Sequence, residues 1–172
     1  MSLRIRFLAL LMPLLILCPA GAEVKIASQC RVKNRPPGRC GWCAVETLAR
    51  HHKIKALYGL TEQNACNACP EDLEDAVEAA GVPYRIQYPG DCDTAILRRA
   101  IRRDRGAAVG FRECVPGAGG HIVTLVDFGP KQVKVIDPSD PVYRVRTMSL
   151  ERFLYWWDGF ALVLEKERAR KK

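Results

Sequence analysis

The sequence predicts an α+β domain, with helices in its first half and an antiparallel sheet in its second. Three observations carry this. Capped amphipathic helix patterns cluster before residue 104. Short apolar runs separated by turn residues fill the rest. A cysteine, Cys40, stands where a proline- and glycine-rich loop meets the first helix. Helices segregated from a run of strands read as α+β rather than as alternating α/β.

The loop Arg35-Pro36-Pro37-Gly38-Arg39 delivers the chain to a helix predicted from Cys40 to His52, with Ala44 and Leu48 recurring at helical spacing. Ile54 to Leu60 leads into a polar loop bearing Cys66 and Cys69. Pro70-Glu71-Asp72 opens a second helix with acids at its positive end, running to Ala80, and Gly81 stops it. Val82 to Tyr88 reads as a short strand. Asp93 caps a third helix, Thr94 to Arg103, with Leu97 and Ile101 facing inward. Ala107 to Phe111 is a buried strand. His121 leads the strand Ile122-Val123-Thr124-Leu125-Val126, and Gly129-Pro130-Lys131 turns the chain into Val133 to Ile136. A further strand is predicted around Arg144-Val145-Arg146. Ser149 caps a helix from Leu150 to Trp157, and Phe160 to Leu164 is the last strand.

Cys40 has the setting of a nucleophile. Free N–H groups and the positive dipole end at a helix N-terminus favour thiolate over thiol. A base must come from three histidines. His51 and His52 lie at the far end of the same helix, about 18 Å along it for twelve residues. His121, after Gly117-Ala118-Gly119-Gly120, is the remaining candidate. An orienting group has to fix its tautomer. Pairing of the two strands as a hairpin brings Asp137 back to the end where His121 begins.

Cys40-Gly41, the small Cys43, the apolar Val45 and Leu48, and the pair His51-His52 resemble in spacing the Cys-Gly-x-Ala…Tyr-Tyr-Gly pattern of the bacteriocin-processing, double-glycine peptidases, a branch of the papain-like cysteine peptidases. The His121 strand and Ile136-Asp137-Pro138 resemble that family's histidine and aspartate segments, and Ala95 to Val109 its helix and following strand. The resemblance covers roughly residues 30 to 164. It implies a papain-like fold, an N-terminal helix bearing the nucleophile packed on a C-terminal antiparallel sheet. It also implies peptide or related amide hydrolysis through a thioester. No nearby histidine or second pair completes a zinc tetrad around Cys66-Asn67-Ala68-Cys69, so no metal is expected, and no cofactor is. The family's oxyanion-donating glutamine, six residues before the cysteine, is Asn34 here, which offers an N–H₂ donor on a shorter arm. With no exporter in the sequence, the leader-peptide specificity of exporter-fused members is not carried over.

Three alternatives share these residues. Cys40-Gly41-Trp42-Cys43 is a Cys-x-x-Cys at a helix start, as a thiol–disulfide oxidoreductase requires, although a loop rather than an apolar strand precedes it. Cys43 in place of Cys40 could be the nucleophile, but Ala44 follows it where plant papains carry an aromatic residue. The third alternative is a non-catalytic papain-fold domain that binds peptides.

Residues 1–22 read as a secretory signal: Arg4 and Arg6, an apolar run from Phe7 to Cys18, and Ala20-Gly21-Ala22 as a cleavage site. The apolar run is too short to span a membrane, so no stable membrane anchor is expected. This predicts a secreted or periplasmic protein with one domain over residues 23–165 and a basic tail over 166–172. Loss of Arg4 and Arg6 lowers the formal charge from +8 to +6. The arginines at 98, 99, 102, 103 and 105 have no aromatic residues interleaved, so a nucleic-acid partner is not expected; the expected partner is a peptide or protein substrate. Seven cysteines remain (Cys30, Cys40, Cys43, Cys66, Cys69, Cys92 and Cys114). One nucleophile and three disulfides is the simplest expectation in an oxidising compartment.

Overall fold

The computed structural model describes residues 23–35, 38–112 and 120–166. The signal segment 1–22, Pro36 and Pro37, the approach to His121 from 113 to 119 with Cys114, and tail residues 167–172 lie outside the described residues.

The chain forms α1 (Cys40–His52), α2 (Leu60–Gln63), α3 (Pro70–Ala79), β1 (Tyr84–Gln87), α4 (Ala95–Arg102), β2 (Ala107–Phe111), β3 (His121–Phe128), β4 (Gln132–Ile136), β5 (Val145–Ser149), α5 (Leu150–Trp156) and β6 (Trp157–Leu164). The six strands make one antiparallel sheet in the order β1-β6-β2-β3-β4-β5. The α+β architecture expected from the sequence is the one observed. The short helix α2 is additional: Gly59, at φ +82°, turns the chain into it where a loop was expected.

Local chemistry accounts for the helix ends. Pro70 opens α3, and Cys69 and Asp72 cap one another there. Asp93 accepts from the Ala95 N–H at the head of α4 (2.8 Å), and Ser149 from the Arg152 N–H at the head of α5 (3.1 Å). In α4, Leu97, Ala100 and Ile101 are buried while Arg98, Arg99 and Arg102 face outward.

The core lies between α1 and the sheet. From Gly41 to Ala49 every residue of α1 is buried, and the helix packs against β3 and β2. Consecutive residues Ile122 to Val126 of β3 are all buried. Alternate side chains of a strand point to opposite faces, so both faces of β3 are covered. Trp157 is fully buried and stacks on Phe153, while Trp156 is only half-buried.

One irregularity positions the site. In the β3–β4 hairpin Thr124 pairs with Ile136 and Leu125 with Val135, but Asp127 pairs with Lys134 and Phe128 with Val133. The extra residue is Val126, a β-bulge. Without it, Asp137 would come opposite Thr124. With it, Asp137 comes level with Val123 and shares the face of Val123 and His121. The bulge carbonyl is not left bare: the Val24 N–H donates to Val126 O at 2.8 Å. Val24 and Ile26 are buried, so the first described residues are part of the core.

Candidate active site

Cys40, His121 and Asp137 meet where the N-terminus of α1 abuts the start of β3. The Cys40 sulfur accepts the Ile122 backbone N–H at 3.4 Å and hydrogen-bonds the His121 side chain. On its other side His121 holds Asp137, with Nε2 at 2.8 Å from Oδ1. That leaves Nδ1 for the sulfur. The same Asp137 oxygen accepts the Ser139 N–H at 2.8 Å, which fixes the carboxylate across the turn.

The electrostatics favour an ion pair. Burial pushes the Cys40 thiol up, but the His121 hydrogen bond, the Ile122 N–H and the imidazolium charge outweigh it, and the thiol lies below its ordinary value. Burial likewise opposes a charged His121. The bonds to Asp137 and Cys40 overcome it and raise the imidazole to about 10. Asp137 is disfavoured as a carboxylate by burial, yet the His121 contact holds it below the usual range. These contacts favour thiolate, imidazolium and carboxylate in sequence, the form in which a cysteine attacks carbon.

Asn34 is placed differently. Its Nδ2 donates to Ser139 Oγ at 2.9 Å, and its Oδ1 accepts the Arg39 N–H at 2.8 Å. Its backbone N–H donates to Pro138 O at 3.0 Å. The side chain thus ties the loop before Cys40 to the turn after Asp137.

The two other histidines stay apart from the sulfur. His52 holds Arg105 by both ring nitrogens, Nε2 to the carbonyl at 2.8 Å and Nδ1 to Nη1 at 3.2 Å. Nδ1 must accept from a guanidinium, so the ring is neutral with its proton on Nε2. Burial first, then the Arg105 charge, lowers it to about 4.

Cys43 is fully buried, one turn behind Cys40, and takes a Thr61 hydroxyl contact at 3.8 Å. Burial is the main cause that pushes its thiol up to about 11. This is the opposite of what a second redox cysteine or a nucleophile needs. Cys30, Cys40, Cys43, Cys66, Cys69 and Cys92 are all free thiols. The expected three disulfides are therefore absent among the described residues. Cys43 is sealed inside the core, while Cys66 and Cys69 sit on an exposed loop. Among the described residues no cluster of His, Cys, Asp and Glu could hold a metal ion, and no helix is long and apolar enough to cross a membrane.

The Cys40 sulfur opens into a cleft of about 400 Å³ lined by Cys40, Asn67, Cys69, Gly110, His121 and Asp158 among others. The loop from Cys66 to Cys69 is its wall, anchored by the Trp42 Nε1–H to Cys66 O at 3.1 Å. Gly41 lets that wall close. A Cβ there would stand 3.1 Å from Ala68 Cβ and 3.2 Å from Ile122 Cδ1. Opposite, the Asp158 carboxylate occupies the space above Gly110, with an oxygen 2.5 Å from where a Cβ would be.

No family model matches this chain, and no curated protein matches it in sequence. Solved structures do match its fold. The peptidase domain of Streptococcus ComA, a bi-functional ABC transporter involved in a quorum-sensing pathway, superposes with a TM-score of 0.60 at 20% identity, over 79% of this chain and 97% of that domain. A double-glycine-motif protease from an AMS/PCAT transporter, solved with its leader peptide, gives 0.56 at 13% identity, over 83% and 92%. The Streptococcus mutans ComA peptidase domain gives 0.53 at 19%, over 78% and 98%. This is the papain-like peptidase fold.

Within that fold, several residues of the site carry no sequence signal. The Ile122 N–H is a backbone group, and any residue at 122 would supply it. Trp42 belongs to the Cys40 motif and is expected near the cleft wall, whereas Asp158 sits in an unremarkable local context. Their roles come from contacts to Cys66 and Gly110, distant in sequence.

Proposed function

We propose that this chain is an exported cysteine peptidase that cleaves a peptide or related amide bond through a thioester. The observation that carries this is the alignment of Cys40, His121 and Asp137 at the head of α1, with the sulfur in an open cleft. The Cys40 thiolate attacks the carbonyl carbon. Negative charge moves to the carbonyl oxygen, where the free backbone N–H of Cys40 and an N–H of Asn34 stabilise it. The Asn34 amide has two N–H donors, and Ser139 takes one. His121 gives its proton to the leaving nitrogen as the C–N bond breaks. It then takes a proton from water, which attacks the thioester, releases the acid and restores the thiolate. Asp137 holds the ring throughout. Segment 1–22 would direct export to the periplasm or outside the cell, and the mature chain would begin near Glu23.

The test is a peptidyl electrophile with an acyloxymethyl ketone warhead, applied to the full chain with all described thiols present. Mass mapping should find the adduct on Cys40 alone, and a peptide library should show cleavage that Cys40→Ala abolishes. Equal labelling of Cys66, Cys69 and Cys92, or cleavage that survives Cys40→Ala, would overturn the assignment.

A further inference from the structure

A second pocket, of about 270 Å³, lies on the flank of α1 beside the loop that leads to Cys40. Arg31, Lys33, Arg35 and Arg39 all line it, and among the described residues none of them is paired with a carboxylate. Arg50 and Glu46 also line it but cancel one another. Glu46 Oε1 accepts from Arg50 Nη2 at 2.6 Å and from the Gly59 N–H at 3.0 Å, and Oε2 accepts the Thr61 N–H at 2.9 Å. Glu62 at the rim is the single remaining acid. Four unpaired cations therefore face one carboxylate.

Two of the four are held in place. Arg31 is fixed by the carbonyls of Ile26 and Tyr143. Arg39 gives Nη1 to Thr61 O at 3.0 Å, but its Nε is buried with no acceptor. A buried donor without a partner has lost its hydrogen bonds to water and gained none in return. A small turn of the guanidinium toward an anion in the pocket relieves this. Lys33, over the Tyr143 ring at 4.9 Å, and Arg35 are exposed beside them and line the same pocket.

We infer that this pocket binds acidic side chains of a peptide. Arg39 immediately precedes Cys40, so the pocket and the cleft flank the same loop–helix junction. They share no lining residue, and a peptide that occupies both must round the start of α1. The inference deepens the peptidase proposal by naming a substrate class, acidic peptides, and rests on that proposal for calling the ligand a substrate.

Binding is measured apart from cleavage. Titration calorimetry of hexaglutamate into the Cys40→Ala full chain should show binding that weakens as salt rises. Lys33→Glu/Arg35→Glu should weaken it by about tenfold or more, as loss of charged hydrogen bonds does. Arg99→Glu/Arg102→Glu makes the same change of net charge on the exposed face of α4 and should leave affinity within about twofold, since distant surface charges are screened. Both pairs are exposed, so folding should hold, and thermal melting checks it. No binding, equal weakening by both pairs, or inorganic phosphate binding as tightly as the peptide would each overturn the inference. Failure of the peptidase proposal reads out separately, as absence of the selective Cys40 adduct.

Discussion

His121 hydrogen-bonds Asp137 through Nε2 at 2.8 Å, and it does so because of a bulge five residues along its own strand. At Val126 the β3–β4 register shifts by one, which turns the Asp137 side chain to the face of His121. The contact between His121 and Asp137 thus depends on backbone geometry remote from the sulfur.

The ion pair sets how Cys40 reacts with pH. With its thiol below the ordinary value of 9.0 and His121 raised to about 10, alkylation by iodoacetamide should remain fast at pH 7. In His121→Ala the sulfur keeps its burial but loses its hydrogen bond and its counter-charge. Its alkylation at pH 7 should fall about tenfold for each unit the thiol rises. Stopped-flow alkylation across pH 5–10 reads this directly, and an unchanged profile would remove His121 from the site.

Stability should respond to pH in an unusual way. A raised histidine contributes stability below its unfolded value of 6.5 and loses it as pH rises toward about 10. A lowered thiol does the reverse: its contribution is full above 9.0 and is lost as pH falls through its folded value. Above both 6.5 and the folded value of the lowered Cys40 thiol, and below 9.0, the folded pair carries its single proton on His121 and the unfolded chain carries it on Cys40. The proton count is equal, so the two slopes cancel. Wild-type denaturant midpoints should be nearly flat across this window. Cys40→Ala leaves only the His121–Asp137 term and should lose stability as pH rises through it.

The N-terminal residues make a third case. Val24 caps the bulge carbonyl, and Val24 and Ile26 are buried. A chain beginning at Ala27 loses both side chains from the core. Each apolar side chain removed costs about 1.5–3 kcal/mol of burial, so melting should fall markedly. If the bulge relaxes, His121 loses Asp137 and alkylation of Cys40 should slow as well. A mature chain beginning at Glu23 keeps both contacts. A truncated chain with normal melting would show that the segment is dispensable.

Much of this was legible in the sequence and some was not. The Pro70 and Ser149 helix starts, the Gly129 turn and the Ala107–Phe111 strand follow from local chemistry, and they lie where the sequence places them. The nearness of His121 and Asp137 follows from counting along a hairpin. The face that Asp137 takes does not, because one residue of slip reverses it and nothing at Val126 announces a bulge. The free thiols were misjudged for a related reason. The number of cysteines says nothing about their depth, and Cys43 is placed in the core by the packing of α1 on the sheet.

Asn34 offers the sharpest test of the oxyanion arrangement. It holds Ser139 by Nδ2 and Arg39 by Oδ1, so its removal affects both the loop and any donation to substrate. Asn34→Ala should lower turnover by about 10²–10³, as loss of an oxyanion donor does. Loss of loop anchoring alone would instead raise KM. Ser139→Ala separates the two effects, because it frees the Asn34 amide without removing it. Ser139 is exposed, so the fold should be preserved, and kcat should stay within a few-fold of wild type. Steady-state kinetics on both variants decides the matter. If Ser139→Ala depresses kcat as deeply as Asn34→Ala, the side chain acts by bracing the loop, and the oxyanion must be held by the Cys40 N–H without it.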